Sequence, residues 1–179
     1  MTVQILLAGF GGQGVLFAGK LLAYIGLLQE RQVSWLPSYG PEMRGGTANC
    51  SVILSDEAIG SPIVLQPDIL MAMNQPSFLR FAPTIKSGGM LFADSALIGV
   101  RSEREDITAF YVPASRLASE QALDGLANMI LLGKLLTWTK LCGEATLQAA
   151  LQKTIPPRKQ ELFEKNLHAL RLGGEATDG

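Results

Sequence analysis

Charge is scarce in this chain. Aspartate, glutamate, lysine and arginine make up 17% of its 179 residues, against about a quarter in an average soluble domain. Hydrophobic residues account for 47%, and the mean hydropathy is +0.23. So little charge points to surface hidden against a partner, with a larger core as the plainer alternative. Histidine occurs once, at His168, and cysteine twice, at Cys50 and Cys142, with no C-x-x-C spacing. That leaves no iron–sulfur motif and no His/Cys zinc constellation, and it predicts reduced, buried thiols over a disulfide framework. A carboxylate-held Mg²⁺ stays open, although no acidic cluster asks for one. The net charge is −1 and the basic residues are scattered, which argues against nucleic acid as a ligand. No apolar run approaches the about 18 residues of a membrane span, and no signal peptide precedes the first strand, so the expected location is cytoplasmic. The length suits one domain over residues 1–172, with a polar tail at 173–179 expected to be disordered.

What the chain does have is glycine at its start. Val3 to Ala8 is short, branched and apolar, the pattern of a strand buried on both faces. Val15 to Leu28 carries apolar residues at helical spacing. Between them Gly9, Gly11 and Gly14 fit G-x-G-x-x-G in the strand–turn–helix setting that gives that motif its meaning. Its physics is a tight turn, close approach of backbone to a ligand, and a helix N-terminus whose free N–H groups face an anion. A βα turn that needs its glycines only for packing is the competing reading.

In a dinucleotide fold the tip of the second strand carries an acid about 20 residues past the glycines, to hold the ribose hydroxyls. Here the strand Gln32 to Leu36 is predicted to stop at Pro37, and the tip reads Pro37-Ser38-Tyr39-Gly40. Glu30 comes too early and Glu42 too late, which lowers the standing of an NAD(P) dehydrogenase. In place of the acid stands Ser38-Tyr39-Gly40-Pro41-Glu42-Met43-Arg44-Gly45-Gly46. Gly-Pro sets a turn and Gly45-Gly46 frees the backbone. Arg44 could take a phosphate or a carboxylate by its planar fork; a solvated loop with a Glu42–Arg44 pair of little worth is the alternative.

Farther along, Thr47 to Ser55 alternates with period 2 and predicts a half-buried strand, antiparallel to its neighbour and near an edge. Ile69 to Met73 is the next buried strand. It ends in Asn74-Gln75-Pro76, with Asn74 either capping the following helix or facing a ligand at the strand's carboxyl end. Met90 to Asp94 and Thr108 to Val112 are further strands. Met129 to Trp138 is apolar nearly all round, hence central to the core or buried in an interface. The expected fold class is α/β: a three-layer, Rossmann-like, mostly parallel sheet with an antiparallel edge strand and helices on both faces.

The run Gly9 to Val15, followed by Trp35 to Cys50, closely resembles the γ subunit of 2-oxoacid:ferredoxin (acceptor) oxidoreductases, most of all the 2-oxoglutarate type, with the 2-ketoisovalerate type close behind. Ala72 to Pro76, and Ala127-Asn128-Met129 with Leu132-Gly133, resemble later blocks of that family in the same order. The resemblance implies a heteromeric complex that decarboxylates a 2-oxoacid on thiamine diphosphate with Mg²⁺. Electrons pass through iron–sulfur clusters to ferredoxin or flavodoxin, and the acyl group goes to coenzyme A. It also implies α and β partners, with δ as a further one, that hold the thiamine and the clusters, while the γ chain holds neither. In related single-chain enzymes the equivalent domain is implicated in binding coenzyme A and covering the active site. The site residues implied are Gly9, Gly11, Gly12, Gln13, Gly14, Tyr39, Glu42, Arg44, Gly45, Gly46 and Asn74, all for binding. No residue is assigned a catalytic role and none a metal. A purely structural subunit and a free-standing NAD(P)-binding protein are the alternatives, and self-association of the isolated chain stays open.

Overall fold

The structure is a computed structural model, and it describes residues 1–38 and 47–178. In chain order come β1 (Thr2–Phe10), α1 (Val15–Leu28), β2 (Gln32–Ser38), β3 (Thr47–Ser55), β4 (Ile69–Ala72), α2 (Gln75–Phe81), β5 (Met90–Asp94), β6 (Thr108–Val112), α3 (Ala114–Glu120), α4 (Ala127–Thr139), α5 (Glu144–Thr154) and α6 (Gln160–Glu175). The strands make one sheet in the order β2-β3-β1-β4-β5-β6. β1, β4, β5 and β6 pair in parallel, and β3 runs antiparallel to both β1 and β2. The expected mostly parallel sheet with an antiparallel strand at its edge forms, the antiparallel strand β3 lying one in from the edge strand β2.

The pleat divides the core in two. Ile5, Leu7, Cys50, Val52, Met71 and Phe92 face a layer built from α1, α4, α5 and α6. Leu6, Leu70, Ala72, Leu91, Ala93 and Tyr111 face the other way, against Phe78 and Ala82 from α2 and its extension. β1 and β4 are buried on both faces, which is why their sequences read as unbroken apolar runs. β2 continues through Pro37, opposite Cys50, to Ser38. It is the outermost strand, where a residue lacking an N–H is tolerated, so the expected stop at Pro37 does not occur.

α4 is central to the core: Asn128 to Gly133, Leu135 and Leu136 are all buried. Its tightest neighbour is α6. A Cβ on Gly133 would sit 2.0 Å from Leu170 O, and one on Gly173 would sit 1.7 Å from Ile130 O. The two helices thus touch backbone to backbone. This corrects the expected domain end at 172. Gly173 and Gly174 look like a helix stop in sequence, but they lie inside α6, which runs to Glu175. Lys134 then reaches past its end to donate to Ala176 O at 2.8 Å.

Candidate functional site

The glycine turn is assembled from its own residues and from two distant strands of chain. Gly9 lies within β1, and a Cβ there would meet Gln13 Oε1 at 2.7 Å and Met73 Cβ at 2.8 Å. Gln13 closes the turn. Its N–H donates to Phe10 O (3.2 Å), its Oε1 accepts from Phe10 N (2.6 Å), and its Nε2 donates to Met73 O at the end of β4 (3.1 Å). Gly12 and Gly14 have φ of +90° and +76°, the left-handed region where glycine is at ease. Gly14 is also the residue before α1. Its carbonyl accepts the first intrahelical bond from Ala18 N (3.0 Å) and a second from Asn128 Nδ2 (3.0 Å).

The amides of Val15, Leu16 and Phe17 precede that first helical bond, and no side chain caps the helix among the described residues. They carry the positive end of the helix dipole. Two hollows flank the turn. One, about 270 Å³, is shared with Ser115, Ser119 and Asp124. The other, about 250 Å³, is lined by Phe10, Gly11, Gly12, Gly14, Val15, Leu16, Phe17 and Ala48 and has no carboxylate among them. An anion fits the second far better, since Asp124 would repel it in the first. Through Ala48 the second hollow also borders the chain that follows residues 39–46. Ser38 lies opposite Asn49, and Thr47 lies opposite Phe10, so the chain on either side of residues 39–46 is anchored beside the turn.

Tyr39, Glu42, Arg44, Gly45 and Gly46 fall outside the described residues. Of the remaining expected binding residues, Gly9, Gly11, Gly12, Gln13 and Gly14 come together. The Gln13 side chain bonds within the protein, as a brace for the turn. Asn74 is buried and caps α2: its Oδ1 accepts from Ser77 N at 2.8 Å. His168 lies on the exposed side of α6, and no group of three His, Cys, Asp or Glu among the described residues could hold a metal ion. Burial pushes the Cys50 thiol up to about 12 and the Cys142 thiol up to about 11, so neither is a ready thiolate. What this arrangement offers chemically, among the described residues, is a helix start whose amides have no side-chain cap.

The family model for pyruvate ferredoxin/flavodoxin oxidoreductase matches residues 4–176. The chain belongs to that family. It is 35% identical to the 2-oxoglutarate synthase subunit KorC of Methanocaldococcus jannaschii, over 99% of this chain and 95% of that one. It is 39% identical to the ketoisovalerate oxidoreductase subunit VorA of Methanothermobacter marburgensis, over 97% of this chain but only 36% of VorA, so it spans about a third of that relative's length. Two solved structures superpose with a TM-score of 0.85. One is the γ subunit of a keto/oxoacid ferredoxin oxidoreductase from Geobacter sulfurreducens (26% identity, 98% of this chain, 95% of that one). The other is 2-oxoglutarate:ferredoxin oxidoreductase from Magnetococcus marinus, solved with 2-oxoglutarate, coenzyme A and succinyl-CoA (25% identity, 96% of this chain, 30% of that one).

Within this family member, sequence reasoning passed over Asn128 as a determinant of the turn. It lies 114 residues from Gly14 in the chain, and a Cβ on Gly14 would fall 2.3 Å from its Nδ2. Nothing local to either residue carries that signal. The same holds for Asp94 at the tip of β5. It is fully buried and accepts from Ser115 Oγ (2.5 Å), Ser115 N and Ala96 N, which fixes the start of α3.

Proposed function

We propose that the chain is the γ subunit of a 2-oxoacid:ferredoxin oxidoreductase of the 2-oxoglutarate type, working in the cytoplasm with α, β and δ partners and a ferredoxin or flavodoxin acceptor. In this reading the partners hold thiamine diphosphate with Mg²⁺ and the iron–sulfur clusters, and together these supply the decarboxylation and the electron transfer. The γ chain receives an anionic group of coenzyme A. The amides of Gly11, Gly12 and Gly14 and of the first turn of α1 would face a phosphate in the hollow that has no carboxylate. Arg44 would add a charge-assisted fork, with Tyr39, Glu42, Gly45 and Gly46 shaping the loop toward the thiamine-bearing partner. No residue of this chain acts as nucleophile or general base.

The observation that carries the reading is the near end-to-end match to KorC. The coenzyme A named with the Magnetococcus structure supports the ligand. A branched-chain 2-oxoacid is the second reading, favoured by the somewhat higher identity to VorA. Arg44→Ala tests the ligand role in the assembled complex. It should raise the KM for coenzyme A with little change in the KM for the 2-oxoacid, or block assembly. Unchanged kinetics together with normal assembly would remove the loop from the site.

A further inference from the structure

The hollow of about 270 Å³ beside the glycine turn, the one that contains Asp124, lies where two connections leave the sheet on opposite faces. β1 and β4 are parallel neighbours. The helix that follows β1, α1, packs on one face of the sheet, and the helix that follows β4, α2, packs on the other. The chain therefore diverges at the carboxyl ends of these two strands and leaves a crevice between them. Open α/β sheets place ligands at such a switch point. Gly12 and Gln13 line it on the β1 side, and Met73, the residue after β4, lines it on the other. The Gln13 Nε2 bond to Met73 O (3.1 Å) ties the two sides together.

α3 and the chain that leads into α4 complete the hollow with a small set of polar groups. Asp124 stands on that chain. Its side chain is exposed, and among the described residues no hydrogen bond or ion pair engages its carboxylate. Ser115 Oγ donates to Asp94 Oδ2 at 2.5 Å, so it offers a ligand only lone pairs. Ser119 adds a hydroxyl that both donates and accepts. Met73, Ala118 and Ala127 supply apolar surface. At Gly12 and Gly125, with φ of +90° and +79°, no described atom lies within 4 Å of where a Cβ would stand, so a ligand can approach the backbone closely.

The hollow thus presents acceptors, negative charge and an apolar wall. An anion is repelled by Asp124. A simple ammonium would satisfy the acceptors but leave Ser119 without an acceptor and the apolar wall without a partner. A sugar joined to a flat heterocycle meets all three.

We propose that this hollow binds a nucleoside through a free ribose 2′,3′-diol. Both hydroxyls donate to Asp124, Ser119 donates to a ribose oxygen, and the base lies against Met73, Ala118 and Ala127. A carboxylate on a ribose diol is the device that a dinucleotide fold mounts at the tip of its second strand. β2 lacks that acid, and Asp124 brings one to the β4 side of the turn, away from β2. The volume, just under the about 300 Å³ at which small-molecule sites begin, suits a nucleoside and not a whole dinucleotide. The site is separate from the coenzyme A reading, which places a phosphate in the neighbouring hollow.

The test is titration of the ¹⁵N-labelled full chain with adenosine, with 2′-deoxyadenosine, 3′-AMP and n-butylamine in parallel. Amide shifts are expected at Gly12, Gln13, Ser119, Asp124 and Gly125. Adenosine should bind more tightly than each of the other three by about tenfold or more. Asp124→Asn should weaken adenosine about tenfold, while Glu161→Gln, a remote carboxyl on α6, should not. Asp124 is exposed and outside the helices, so its variant keeps the fold. Equal or tighter binding of 2′-deoxyadenosine, 3′-AMP or n-butylamine, unchanged affinity in Asp124→Asn, shifts confined to Leu16, Phe17 and Ala48, or no shift at millimolar adenosine would each overturn the assignment.

Discussion

Gly14→Ala should be among the most damaging single-methyl additions in this protein, and the reason divides into two separable parts. The first is backbone. Gly14 has φ +76°, and an L-residue in that region costs about 1–2 kcal/mol. The second is Asn128. The new Cβ would lie 2.3 Å from its Nδ2, so the amide must leave its 3.0 Å bond to Gly14 O. Asn128 is buried, and stranding such a group costs about 1–3 kcal/mol. The sum is about 2–5 kcal/mol, or a fall in Tm of roughly 4–20 °C at this chain length. The assay is urea denaturation of the full chain followed by circular dichroism, repeated in an Asn128→Ala background. With the clash and the bond both gone, Gly14→Ala should then cost only the backbone part. The coupling energy of the cycle should be about 1–3 kcal/mol. A Gly14→Ala cost that is the same in both backgrounds would refute the link between α4 and the turn.

Other perturbations follow from the same geometry. Gly173→Ala puts a methyl 1.7 Å from a backbone oxygen of α4, which no rotamer relieves, so its cost in urea denaturation should reach the upper end of overpacking, about 3 kcal/mol or more; a loss below about 1 kcal/mol would mean that the helices can separate freely. Burial raises the Asp94 pKa above its usual 3.8, so the folded state holds this proton more tightly than the unfolded one. The associated stability is present below the unfolded pKa and is lost as pH rises through the folded one. The stability of the native chain minus that of Asp94→Asn should therefore fall on going upward from about pH 4, then level off. A difference that instead grows with pH would reverse the sign of the shift.

The parts of the fold legible in the sequence were those with local causes. β1, the glycine turn and α1 follow from one apolar run, three glycines and one helical repeat. Asn-Gln-Pro offered Asn74 either as a helix cap or as a ligand contact, and the cap is the role its side chain takes. The period-2 pattern of Thr47 to Ser55 announced β3 as a half-buried, antiparallel strand. What stayed hidden depends on partners far away in the chain. Gln13 suggested a polar contact to a ligand, yet one of its bonds goes to Met73, 60 residues on. Gly173 and Gly174 fell in the polar tail expected from the sequence; their purpose is visible only with the backbone of α4 against them. Pro37 suggested a strand end because its position at the sheet edge is a property of the whole topology. The carboxylate beside the glycine turn has no local motif at all, since Asp124 comes from the connection between α3 and α4.

The central claim is that this chain completes an oxidoreductase without performing its chemistry. The most direct measurement is coenzyme A-dependent reduction of ferredoxin by 2-oxoglutarate, with the purified partner subunits, this chain alone, and the two recombined. The account predicts no turnover from this chain alone and full turnover only after recombination. Appreciable 2-oxoacid oxidation by the chain alone, or an undiminished rate and coenzyme A KM in its absence, would contradict it.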